Sequence, residues 1–190
     1  MSRKPENPSS ASFAGDGMLG SIYLCDTSAM VDLRQNYPED LFPNLWARIA
    51  DLTHEFRFYL HEEVIQELET TDDESLPWIR QHPTIRLAIT DGQQRRLRSI
   101  LTEVPRLATP TKKNDADPWL IAAALELDRR DDPNRPLLSS EICVLSSEKP
   151  NRGIPITDPI SRQPIPNVCA HYNIRHLCLV DMFTQEKWRF

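Results

Sequence analysis

Short apolar runs alternate with stretches of helical periodicity along this chain, and that alternation restricts its fold more than any other feature. Ser21-Ile22-Tyr23-Leu24-Cys25 and Glu141-Ile142-Cys143-Val144-Leu145 read as buried strands. Phe56-Arg57-Phe58-Tyr59-Leu60 is aromatic and strand-like. Ile85-Arg86-Leu87-Ala88-Ile89 alternates as a short extra strand, and Ile174 to Cys178 reads as the last one. Between them, helices are predicted over 28–36, 41–53, 61–70, 76–81, 91–104, 117–129 and 179–187. Leu41, Leu45, Ile49 and Leu52 form the stripe of the second, with Pro38 and Pro43 at its start. Pro118 suits the first turn of the sixth, whose body Leu120 to Leu125 is almost wholly apolar. Residues 150–168 carry five prolines and read as a long loop. Strands alternating with helices predict an α/β domain: a mostly parallel sheet with helices on both faces.

The length of 190 residues suits one domain with one core. Residues 1–19 are rich in Ser, Pro, Gly and Asn and are expected to be a disordered tail, leaving 20–190 as the single domain. No apolar stretch approaches the roughly 18 residues of a membrane span. The N-terminal segment has no apolar core of a secretory signal, and the 4 cysteines form no C-x-x-C. A reduced, cytoplasmic protein is the expectation. Only 5 glycines are present, and neither G-x-G-x-x-G nor a Walker-type motif occurs. The net charge of -6 excludes general electrostatic affinity for nucleic acid. A nucleic-acid role would therefore need a local basic patch, a metal, or both. Arg95, Arg96, Arg98, Lys112 and Lys113 are the candidate patch, against the plainer reading of a solvated helix face and loop.

Ligands of an open parallel sheet bind beyond the carboxyl ends of its strands. Asp26-Thr27-Ser28 follows the first strand and Ser146-Ser147-Glu148 the later one. Glu67 and Asp117 stand on or at the start of helices. Carboxylates converging on one cleft repel one another and require shifted pKa values or bound divalent cations. Hard oxygen donors of this kind suit Mg²⁺ or Mn²⁺, which can generate a nucleophilic water and stabilise a phosphoryl transition state.

These residues resemble the PIN domain, a nuclease fold found in many bacterial toxin–antitoxin toxins, and most closely a PIN-like branch long described as a domain of unknown function. The resemblance rests on Tyr23 to Leu33, Val64 to Leu68, Asp117-Pro118-Trp119-Leu120-Ile121-Ala122, and Val144-Leu145-Ser146-Ser147-Glu148-Lys149. Ile165-Pro166-Asn167-Val168-Cys169 is similar to that branch's C-terminal signature. It implies a five-stranded parallel sheet in a three-layer α/β/α sandwich. It further implies a metal-dependent endoribonuclease with Asp26, Glu67, Asp117 and Glu148 as metal-binding acids, supported by Ser28, Ser146 and Asp115. RNA would be the substrate and a cognate antitoxin the protein partner, with a homodimer left open. The departure from the pattern is Ser147, where a further acid is expected.

Each assignment has a plainer rival. Asp26, Ser28 and Asp117 stand where helix N-caps belong. Asp115 competes with Asp117 for the site. Glu67 lies in a charge run with Glu62, Glu63 and Glu69 that could be a solvated face, and Glu148 could be a loop acid. Cys169, His171, His176 and Cys178 have spacings unusual for structural zinc, and Cys178 reads as a buried strand residue. Trp46, Trp78 and Trp119 read as core or interface anchors, Tyr23 and Phe58 as core. The rival functions are a DNA-directed nuclease and a catalytically weak scaffold that works through protein contacts. A haloacid-type phosphatase is more distant, because its Asp-x-Asp signature is missing after the first strand.

Overall fold

In a computed structural model of the chain, the described residues are 20–71, 73–109, 115–128 and 140–190. The expected tail therefore lies outside the described residues. The middle strand is β1 (Ile22–Cys25). On one side it pairs with β2 (Phe58–His61), which pairs with the two-residue β3 (Arg86–Leu87). On the other it pairs with β4 (Ile142–Leu145), which pairs with β5 (Arg175–Leu177). Every pairing is parallel, giving a five-stranded sheet of order β3-β2-β1-β4-β5 in an α/β three-layer sandwich.

The helices are α1 (Thr27–Asn36), α2 (Pro43–His54), α3 (Glu62–Thr70), α4 (Leu76–Gln81), α5 (Asp91–Glu103), α6 (Asp117–Asp128), α7 (Ile165–His171) and α8 (Leu179–Gln185). They explain why β1 and β4 lack a polar alternation. Tyr23, Leu24, Cys25 and all of β4 are buried, so both faces of these strands are covered. Helix α6 is buried nearly all round, from Leu120 to Ala124, because it packs on β2, β4 and α5 at once. Its alanines allow that close approach, and each fully buried Leu or Ile adds roughly 1.5–3 kcal/mol. Tyr23, Phe58, Trp46 and Trp78 are core residues, as their patterning predicts. Trp119 is half-buried and stacks on the buried ring of His61, with centroids 5.8 Å apart.

Several expectations need correction. The proline-rich stretch is not loop throughout: α7 begins at Ile165, with Pro166 in its first turn, where a missing N–H costs nothing. Phe56 is not part of a strand. It takes a left-handed φ of 57°, closes the turn after α2 and is 60% exposed. Leu41 precedes α2 and is exposed, because Pro43 sets the helix start. Of 85–89, only Arg86 and Leu87 pair as strand, following a single 3₁₀ turn over Pro83–Ile85. Cys178 is exposed and sits at the N-cap of α8, one residue beyond the end of β5. Among the described residues no helix is long and apolar enough to cross a membrane.

Candidate active site

The sheet order reverses at β1: the chain leaves β1 for β2 and β3 on one side, then returns to place β4 on the other. The crevice beyond β1 and β4 is the usual ligand position of such a sheet. Asp26 directly follows β1, and its N–H donates to the Leu145 carbonyl at 2.9 Å, so the tips of the two strands are tied together. The N–H of Ser146 donates to the Leu177 carbonyl at 3.2 Å and ties β4 to β5.

Around these tips the hydroxyls form one network. Asp26 Oδ2 accepts from the Ser28 N–H at 3.2 Å and from Ser28 Oγ at 2.6 Å. Asp26 is thus a helix cap and a site acid at once, its cap function shared with a hydroxyl. Ser28 Oγ lies 3.3 Å from Ser146 Oγ and accepts from the Ser147 N–H at 3.1 Å. Ser146 Oγ in turn accepts from the Glu148 N–H at 3.0 Å. Ser28 and Ser146 therefore shape the loop that presents Glu148. Ser147 donates its hydroxyl to the Ser28 carbonyl at 3.2 Å, so the residue at the departing position fastens the same loop.

Asp117 opens α6, where its charge favours the helix dipole. Arg162 reaches from the proline-rich loop and donates to Asp117 Oδ2 at 2.5 Å and to Glu148 Oε1 at 2.6 Å. The other Glu148 oxygen accepts from the Ile165 N–H at 2.7 Å. Glu67 is buried rather than solvated. Its carboxylate accepts from Thr27 Oγ1 at 2.5 Å and from the Ala116 N–H at 2.9 Å. It thereby clamps the immediate chain neighbours of Asp26 and Asp117. Asp115 is held differently: Oδ2 accepts from the Thr109 N–H at 2.5 Å, while Oδ1 is buried with no hydrogen-bond partner among the described residues.

The electrostatics follow from this crowding. Burial pushes the Asp26 carboxyl up to about 6, against the lowering effect of the Ser28 bonds, and the Glu148 charge adds to the rise. Burial pushes Asp117 up to about 7; the Asp26 charge adds to this, and the Arg162 guanidinium only partly opposes it. Both carboxyls thus stand above the ordinary carboxylate range.

The structure brings Asp26, Asp117, Glu148, Ser28 and Ser146 together, with Glu67 bonded to their chain neighbours and the Asp115 charge adding to the rise at Asp117. Arg95, Arg96 and Arg98 are exposed on α5, which packs against α6, while Lys112 and Lys113 lie outside the described residues. Among the described residues no three His, Cys, Asp or Glu side chains are arranged around one point as metal ligands. At the acids the guanidinium of Arg162 lies between two of the carboxylates. Of the zinc candidates, Cys169 is buried, while His171 faces Glu103 at 2.8 Å. Two participants were not read from the sequence: Thr27 and Arg162. Thr27 adjoins Asp26, so its place in the Asp-Thr-Ser triplet was a usable signal. Arg162 carries no local signal, since it lies 45 positions from Asp117 in a loop.

Residues 23–190 match the family described as a domain of unknown function, DUF4411. The chain belongs to the DUF4411 family. No curated protein and no solved structure matches it. The DUF4411 match runs from the second residue of β1 through α8, and so covers all the acids of the site.

Proposed function

We propose that this DUF4411 protein is a cytoplasmic, metal-dependent endoribonuclease of PIN-like type, acting as the toxin of a bacterial toxin–antitoxin pair. The observation that carries the reading is the pair Asp26 and Asp117: two buried carboxylates at the topological switch point, both held above the ordinary carboxylate range. Structural carboxylates are normally held below that range by their partners. Raised, buried acids in a crevice mark a site built for another cation or a proton transfer.

The donor set fits Mg²⁺ or Mn²⁺. It is all oxygen, the chemistry these ions prefer, and among the described residues it includes a buried Asp115 oxygen without a hydrogen-bond partner, although no three of the acids are gathered around one point. Asp26, Asp117 and Glu148 would hold the ion, with Glu67 bracing their backbone neighbours. When bound, such an ion activates water and stabilises charge on a phosphoryl group. The chain's own residues do the rest. Ser28 and Ser146 fix the loop of Glu148, and Thr27 with the Ala116 N–H orients Glu67. An antitoxin would act by covering this mouth. The resemblance to PIN toxins supports that partner and the choice of RNA.

The test is cleavage of matched single-stranded RNA and DNA oligonucleotides in Mn²⁺, with Asp26→Asn as control. Metal-dependent RNA cleavage lost in the variant is expected. Preference for DNA would move the protein to a DNA-directed nuclease. The scaffold reading is favoured by Ser147, which replaces an expected acid. It predicts no Mn²⁺ effect on melting, whereas ion at about 100 times its Kd stabilises by about 2.7 kcal/mol.

A further inference from the structure

Of the five large apolar side chains left exposed among the described residues, Leu41 and Phe190 lie at one end of α2 and Phe56 at the other. Single exposed apolar residues are ordinary, but a grouping along one helix is not. At the first end, Leu41, Phe42, Pro43 and Phe190 line a groove of about 900 Å³. At the second, Phe56 follows the helix cap. Its N–H donates to the Thr53 carbonyl at 3.2 Å, and the Arg57 N–H to the Leu52 carbonyl at 2.8 Å. That pair of bonds ends a helix through a left-handed residue, usually glycine or asparagine, because other side chains are strained there. Here a phenyl ring takes the place. It belongs neither to the core nor to the side chains packed against it.

Between the two ends, Asn44, Ala47, Arg48 and Asp51 form one exposed face at helical spacing. Arg48 and Asp51 carry opposite charges, and neither is ion-paired among the described residues. Two helices packed antiparallel about a two-fold axis match residues that lie equally far from the axis on either side. Arg48 and Asp51 share a midpoint between Ile49 and Ala50, and Pro43 and Phe56 share the same one. An axis that sets each Arg48 beside the Asp51 of a second copy therefore also carries each Phe56 to the Pro43 wall of the other copy's groove. We propose that this face is the interface of a symmetric dimer of the chain, α2 packed on α2, with each Phe56 seated in the Leu41–Phe190 groove of the second copy. The left-handed backbone at Phe56 turns the ring out of its own chain and into the next, and the contact offsets its strain. The dimer stands apart from the nuclease reading.

Sedimentation equilibrium of the full chain over a concentration series, without metal or nucleic acid, measures the dissociation constant. Wild type should dimerise in the micromolar range. Phe56→Asn should weaken the dimer about thirtyfold, as loss of a seated aromatic anchor does. The melting temperature of the dilute variant should hold or rise, because asparagine tolerates the left-handed backbone. Asp51→Arg should weaken the dimer about tenfold, by setting like charges against Arg48 of the second copy. Adding Arg48→Asp to Asp51→Arg restores opposite charges and should return the constant to within about threefold of wild type, a rescue that mere disturbance of α2 would not give. The charge pair carries the test if Phe56→Asn fails to fold. A wild type that stays monomeric throughout, a dimer indifferent to both single variants, or a double variant no tighter than Asp51→Arg overturns the proposal.

Discussion

Asp117→Asn should make the metal-free protein more stable, and increasingly so as pH rises. The Asp117 carboxyl is pushed up from 3.8 to about 7 by burial and by the Asp26 charge. A group whose folded pKa is raised contributes stability below its unfolded value and loses it as pH rises toward the folded value. For Asp117 the window therefore runs from about pH 4 to about pH 7. Across it the wild type should lose stability that the variant keeps, because asparagine preserves the shape and removes the charge. At about 1.4 kcal/mol per unit, a rise of about 3 units is worth about 4 kcal/mol at most. Water entry on ionisation reduces that to about 2–4 kcal/mol, and at about 2–4 °C per kcal/mol for this size the gap is about 10 °C. The lost Arg162 contact is already contained in this balance, since it lowers the same pKa. Melting should be followed calorimetrically in EDTA at steps from about pH 4 to about pH 8. The gap should be small at the acid end and widen to its plateau above pH 7. A variant that melts at or below wild type at the alkaline end, or a gap independent of pH, would refute the argument that burial dominates at Asp117.

Asp26→Asn should abolish Mn²⁺-dependent RNA cleavage while raising metal-free stability at neutral pH, because asparagine caps α1 equally well; cleavage assays and melting curves on one preparation decide this. Asp117→Asn should remove the thermal stabilisation by Mn²⁺, whereas Asp115→Asn should weaken it no more than several-fold, since an amide oxygen still accepts from the Thr109 N–H. Equal loss in both variants would make Asp115 a ligand. Glu67→Ala should cost about 2–3 kcal/mol in urea denaturation, leaving the buried Ala116 N–H without an acceptor. An unchanged midpoint would return Glu67 to the status of a surface acid.

The strands of this fold were readable because β1 and β4 are covered on both faces and so appear as unbroken apolar runs. The same logic misleads at run ends. Phe56 extends an aromatic run into a turn, and Cys178 extends one into a helix cap, since hydrophobicity does not mark where a hydrogen-bond ladder stops. The acids were legible through their positions after strands and at helix starts. Their hydrogen-bond partners were less so. Ser28 and Ser146 were accessible because they share short polar clusters with Asp26 and Glu148. Arg162 was not, because its contact depends on how a loop of prolines folds back across the site.

The Ser28–Ser146 contact joins positions 118 apart in the chain. Residues this distant must both have left the ribosome before the crevice exists. Glu148 further needs Arg162 and the Ile165 N–H, which follow later still. The pairing of β1 with β4 is correspondingly non-local, and such pairings form slowly. A nascent chain that has already completed β1, β2 and α6 thus still lacks Glu148 and the strand whose end ties down Asp26.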